Sequence, residues 1–178
     1  VAGLELLGQG QMEFLRAWTL DWRDAEMKAI LSQTVFTAMA THHGGRDNFL
    51  RADYDTNAWP QTARNAALRE IRKSFAFHIA GDQHLPAVIQ YGIEGHRDAA
   101  VAFAGPAVNN LYPRWFLPPD GRIPGDHVDS FGHPMTVLAC SNPKAEIRAG
   151  VLEAEEDKAA GVAVVRFDKR HRTIAIEC

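Results

Sequence analysis

Cysteine is scarce in this chain. Cys140 and Cys178 are the only two, and neither belongs to a Cys-x-x-Cys pair, so there is no disulfide framework and the redox compartment is left undecided. Lys and Arg are not gathered into a block, and the net charge is −3, which argues against a nucleic-acid binder because counterion release needs clustered positive charge. No apolar run suits a membrane span, and there is no internal repeat or low-complexity tract. What is present is ordinary for a globular protein: 178 residues, 46% hydrophobic and 23% charged, enough for a single domain over 1–178 with a sizeable core. The chain begins at Val1 without a methionine or signal peptide and stops at Cys178 directly after a strand-like run, which reads as a piece of something longer.

The most informative stretch runs from Phe75 to His84. Phe-Ala-Phe-His-Ile-Ala is apolar, aromatic and branched, and predicts a buried strand that stops at Gly81. Beyond the carboxyl end of such a strand an α/β protein collects its ligands. Gly81 is expected to turn the backbone there, so that Asp82 and His84 reach one bound ion, one through oxygen and one through nitrogen. The plainer alternative is that Asp82 caps the next turn and His84 sits on the surface.

Elsewhere the chain alternates helix-like and strand-like segments. Phe14, Leu15, Trp18 and Trp22 fall at helical spacing between Gln11 and Trp22, with both tryptophans expected in the core. Lys28 to Phe36 predicts a buried strand, followed by the loop Thr41-His42-His43-Gly44-Gly45, whose histidines are either a second site or a solvated turn. The polar loop Asp53 to Pro60 leads into a helix from Gln61 to Ser74, with Leu68, Ile71 and Phe75 as its buried stripe. Strand, helix and strand together make a unit of the kind that builds parallel sheets, and His78 inside the second strand reads as a core histidine.

The second half adds strands rather than further units. Ala87 to Tyr91, Ala99 to Ala104, Met135 to Ser141, Val162 to Asp168 and Thr173 to Glu177 are strand-like, the last two forming a hairpin around Lys169-Arg170-His171-Arg172. Asn109 to Trp115 and Pro124 to His127 read as loops, and Lys144 to Lys158 as an acidic helix or loop.

Taken in order, several blocks carry a family resemblance: Leu7-Gly8-Gln9-Gly10-Gln11 before a Trp-bearing helix, Thr41-His42-His43-Gly44, Asp55-x-Asn57-x-Trp59-Pro60 with Arg64, Gly81-Asp82-Gln83-His84, and Gly161-Val162-x-Val164-Val165-Arg166-Phe167-Asp168. The chain resembles the C-terminal half of PhoD-like alkaline phosphatases, within the calcineurin-like metallophosphoesterases. The resemblance implies an α/β fold, the C-terminal part of a four-layer α/β/β/α sandwich, with two metal ions at the strand ends hydrolysing phosphate monoesters or diesters. It implies Asp82 and His84 as metal ligands, His42 or His43 as a ligand or a donor to phosphate, and Asn57 and Arg64 as substrate contacts, Arg64 through phosphate. It implies divalent or mixed metal ions (Fe, Ca, Zn or Mn), a phosphate-ester small-molecule substrate, and a periplasmic or extracellular rather than cytoplasmic setting.

The departures matter as much. The N-terminal half that supplies most metal ligands in that family has no counterpart here, and the block reads Gly-Asp-Gln-His where Gly-His-x-His is usual in the wider superfamily. A fragment holding part of a metal site, inactive alone and prone to self-association through an uncovered sheet, is the expectation. Two other readings compete with it. One is a non-catalytic ligand- or partner-binding domain using the aromatic loops around Trp59, Tyr112 and Trp115. The other is a single-metal hydrolase complete in this chain, using His42, His43, Asp82 and His84.

Overall fold

The computed structural model of the chain describes residues 3–108, 112–143 and 161–178. In chain order the elements are α1 (Gln9–Leu20), β1 (Ala29–Ser32), β2 (His42–His43), α2 (Gln61–Ile71) with a 3-10 turn at Arg72–Ser74, β3 (Phe77–Ala80), β4 (Ala87–Tyr91), β5 (Val101–Ala104), β6 (Arg114–Trp115), β7 (Gly125–Val128), β8 (Pro134–Cys140), β9 (Val164–Asp168) and β10 (Thr173–Glu177). The fold is mixed α/β, with a sheet-rich core and two helices among the described residues. Neither helix is long and apolar enough to cross a membrane.

Six strands form one sheet in the order β1-β3-β5-β4-β8-β7. β1, β3 and β5 run parallel, while β4, β8 and β7 pair antiparallel. The strand-helix-strand unit read from the sequence is therefore present as β1-α2-β3, with Ala29 beside Phe77 and Ser32 beside Ala80. Among the described residues the second half builds outward in strands without further helices, because its apolar runs are four to seven residues long and separated by Pro- and Gly-rich turns.

Alternation along the strands separates the two faces. His78, Ala80, Ala102, Ala104 and Tyr91 point to the side covered by Leu15 of α1 and by Ala67, Leu68 and Ile71 of α2. Burying a leucine such as Leu68 contributes about 1.5–3 kcal/mol, and truncating it to alanine would cost about 2–5 kcal/mol. The opposite face carries Phe77, Phe103 and Val88. The β9-β10 hairpin reaches this side through Phe167, whose ring meets Phe77 edge-on at 6.1 Å. Leu31, on the edge strand β1, remains 78% exposed.

A buried hydrogen-bond chain ties the sheet to the segment that follows β1. The Ser32 hydroxyl donates to the Thr34 carbonyl at 2.5 Å, so it must accept from His78 Nε2 at 2.7 Å. His78 Nδ1 then accepts from the Tyr91 hydroxyl at 2.8 Å, and the Tyr91 oxygen accepts the Phe36 N–H at 3.0 Å. Every polar atom is used in one direction, which fixes a neutral His78; burial lowers its pKa to about 4. This is the core histidine anticipated from the sequence.

Several sequence expectations are corrected. The strand expected over Lys28–Phe36 is only Ala29–Ser32, and Thr34 to Ala40 run buried without a ladder. Asp129 stands in for that ladder, its carboxylate accepting from Thr37 Oγ1 at 2.9 Å and from the Ala38 N–H at 3.0 Å. Trp22 lies past the end of α1 and is 41% exposed, and Trp18 is half-buried. Their rings flank the Lys28 ammonium at 4.6 and 4.7 Å; Trp18 also packs against the core cluster, and Trp22 does not. Phe75 leaves the buried stripe of α2 because the helix gives way to the 3-10 turn; its φ is +51° and it is 90% exposed. Residues 125–128 and 114–115 are strands rather than loops. The acidic segment Lys144 to Lys158 and residues 109–111 lie outside the described residues.

Candidate functional site

β3 ends at Ala80, and the chain turns at once through Gly81, Asp82, Gln83 and His84. Gly81 does not make this turn. Asp82 and His84 do, with φ of +65° and +50°, two of the six non-glycine residues with positive φ among the described residues. For a residue with a Cβ this left-handed conformation costs about 1–2 kcal/mol, a strain that clusters at functional positions. Gln83, between them, is fully buried and anchors the turn by donating from Nε2 to Thr34 Oγ1 at 3.0 Å. Thr34 in turn accepts the Ser32 hydroxyl, so the His78 chain and the Gln83 anchor meet at one residue.

A cleft of about 590 Å³ opens beside this turn, with Asp82, His84, His43, Asp53, Tyr54, Asp55, Tyr112 and Arg114 on its walls. The pairing of β2 with β6 assembles much of it, placing His43 opposite Arg114 and His42 opposite Trp115. Successive side chains of a strand point to opposite faces. His43 accordingly lines the cleft, next to the Tyr112 hydroxyl, which hydrogen-bonds its Nδ1. His42 turns away and packs edge-on against Phe49 at 5.5 Å, its Nδ1 on Thr41 Oγ1 at 2.9 Å. Gly44, with φ of +68°, leaves room for the Tyr112 ring at 3.5 Å from where a Cβ would stand.

Tyr112 also holds the second histidine. His84 Nδ1 lies 2.9 Å from the Tyr112 carbonyl, which can only accept, so the ring proton sits on Nδ1 and the Nε2 lone pair is free of it in the neutral form. One Oδ oxygen of Asp82 is buried without a hydrogen-bond partner among the described residues. A buried carboxylate oxygen left unsatisfied is costly, so it calls for an explanation.

The acidic wall is organised by Arg114. Its guanidinium pairs with Asp53 in a nearly buried contact and with Asp55 Oδ2 at 3.2 Å. Burial nevertheless pushes the Asp53 carboxyl above its ordinary pKa; Arg114 opposes the shift, while the charges of Asp55 and Asp82 add to it. Three carboxylates thus face one guanidinium that is already engaged. The cleft as it stands attracts cations rather than anions.

The remaining sequence candidates stand elsewhere. Arg64 is fully buried, donating from Nε to the Phe36 carbonyl at 2.8 Å and from one terminal nitrogen to the Gly92 carbonyl at 2.6 Å. Burial lowers its pKa to about 10. Asn57 bonds the loop after β1, its N–H on the Val35 carbonyl at 2.9 Å. Neither lines the cleft. Trp115 is buried, with its indole N–H on the Pro143 carbonyl at 3.1 Å. The structure thus brings together His43, Asp82 and His84, and adds Asp53, Tyr54, Asp55, Tyr112 and Arg114, which the sequence did not single out for a site of this kind, apart from Tyr112 as an aromatic contact.

Among the described residues no group of three or more His, Cys, Asp or Glu side chains is placed to hold a metal ion. Comparison with family models, with curated proteins and with solved structures finds no match to the chain.

Proposed function

We propose that this cleft is one wall of the active centre of a metal-dependent phosphoric ester hydrolase of the PhoD-like kind, and that the sheet is the C-terminal half of a four-layer α/β/β/α sandwich. The observation that carries the proposal is the Asp82–His84 turn. Two non-glycine residues are held in strained backbone at a strand end, one with a buried carboxylate oxygen that has no partner among the described residues, the other with its Nε2 lone pair left available.

These residues do not make a metal centre by themselves. Asp82 and His84 offer two donor side chains where a divalent ion takes four or more, and His43 does not join them in a ligating group. The other donors must come from outside the described residues, and the chain alone is expected to be poorly active or inactive. Within the cleft His43 is the histidine able to meet a bound ester, since His42 faces Phe49. Arg114 is engaged on both sides and fixes the Asp53–Asp55 turn instead of offering a fork to phosphate.

Metal content and hydrolysis of a chromogenic phosphate monoester and diester by the intact gene product that carries this chain test the proposal, with Asp82→Ala and His84→Ala as paired variants and His171→Ala at the exposed hairpin tip as control. Loss of metal and activity in the first two alone supports it. A metal-free protein indifferent to all three variants would favour a non-catalytic binding domain.

A further inference from the structure

A second cavity, of about 500 Å³, adjoins the acidic cleft, and Leu50 belongs to the walls of both. β2 divides their remaining walls: His43 lines the cleft, whereas the His42 ring packs edge-on against Phe49, which lines the cavity. The floor is apolar, made of the buried Met39, Phe116 and Met135. Phe49 and Val128, also on its walls, are 63% and 62% exposed and so stand at its rim. Phe49 is held there by His42 and by the Leu50 N–H on the Thr41 carbonyl at 2.8 Å.

The titratable side chains on these walls are already engaged among the described residues. Asp126 pairs with Arg97 at 3.0 Å, and Asp120 with Arg122 at 2.8 Å. Asp129 accepts from Thr37 Oγ1, from the Ala38 N–H and from the N–H groups of Phe131 and His133. His127 donates from Nε2 to the Arg122 carbonyl, and His96 from Nε2 to the His127 carbonyl, both at 2.9 Å. A charged ligand would thus lose its hydration without meeting an unpaired counter-charge, at a net cost. An uncharged apolar one would exchange water for the methionine and phenylalanine floor, at a gain.

We propose that this cavity is a binding site for a neutral, apolar small molecule. It is a function separate from the phosphoester chemistry assigned to the cleft and does not rest on it. The size suits the purpose, since small-molecule pockets run to about 300–1,000 Å³ and are mostly apolar. Two methionines in the floor add adaptability of shape, because the unbranched thioether side chain repacks readily.

The test is fluorescence titration of the intact gene product that carries this chain with N-phenyl-1-naphthylamine, which is neutral, and with 1-anilinonaphthalene-8-sulfonate, which has the same ring system and an added negative charge. The neutral probe should bind saturably, and the sulfonate about tenfold more weakly, for want of a free counter-charge. Val128→Asp sets a carboxylate on the rim at an exposed position of the edge strand β7, and should weaken the neutral probe about tenfold while leaving the denaturation midpoint unchanged. Phe49→Asp, at the second rim position, should act in the same direction, and Val128→Ile should keep wild-type affinity. Absence of saturable binding, equal affinity for the two probes, or affinity that neither aspartate substitution moves would overturn the proposal. So would neutral-probe binding that weakens as protein concentration rises, which would assign the cavity to a second copy of the chain.

Discussion

His84 donates from Nδ1 to the carbonyl of Tyr112 across 2.9 Å, and the same tyrosine's hydroxyl meets Nδ1 of His43. One residue thus orients both histidines of the cleft, one through its main chain and the other through its side chain. The neutral His84 ring should carry its proton on Nδ1, leaving Nε2 as the acceptor. Long-range proton–nitrogen correlation spectra of the neutral ring should show that tautomer; an Nε2–H signal would contradict the assignment.

Arg114 and Asp53 form the most deeply placed ion pair of the cleft, with side chains 9% and 3% exposed. Removing one partner leaves the other charge buried, at a cost of about 3–5 kcal/mol. Arg114→Leu should therefore lower the denaturation midpoint substantially, and adding Asp53→Asn should recover part of the loss. Because the Asp53 pKa is already raised by burial, the stability tied to its protonated form is present at low pH and lost as pH rises. The defect of Arg114→Leu should then grow with pH. A pH-independent defect would sink this explanation.

His78 titrates in the opposite sense. Its pKa falls from 6.5 to about 4 on folding, so between those values the unfolded chain binds more protons and stability drops as the solution is acidified. The shift corresponds to about 3 kcal/mol at most. His133, also lowered by burial, adds to the same slope. In His78→Gln the dependence of unfolding free energy on pH across that window should flatten, although the variant is less stable overall. An unchanged slope would mean that His78 is not the group responsible.

How much of this was legible in the chain depends on the range of the interactions involved. The β1-α2-β3 unit could be read because each part is local: an apolar run, Pro60 ahead of a helix beginning at Gln61, then a second apolar run. Asp82 and His84 were legible as a motif for the same reason. That Asp82 and His84 make the turn themselves, rather than Gly81, shows only in the backbone angles. Phe75 obeyed helical spacing and still ended on the surface, since the chain leaves the α-helix four residues earlier. β6 and β7, of two and four residues, have too little pattern to announce themselves and exist through partners in β2 and β8. The acidic wall was hidden similarly: Arg114 reaches Asp53 across 61 positions of sequence, and no short-range pattern reports such a contact.

Among the described residues, Leu31 on the edge strand β1 is 78% exposed. An uncovered apolar edge of this kind favours association. We expect the chain to self-associate as its concentration rises, visible by sedimentation velocity, and Leu31→Lys to shift it toward monomer. A strict monomer at every concentration would count against association through this edge.

The central claim is that the Asp82–His84 turn is a metal-site element of a phosphoric ester hydrolase. Elemental analysis of the intact gene product that carries this chain, beside phosphate-ester hydrolysis, for wild type, Asp82→Ala and His84→Ala, tests it most directly. Metal content and hydrolysis should fall together in both variants while His171→Ala keeps wild-type values. No bound metal in the wild type, with hydrolysis absent or unmoved by either substitution, would reduce the turn to a strained connection between β3 and β4.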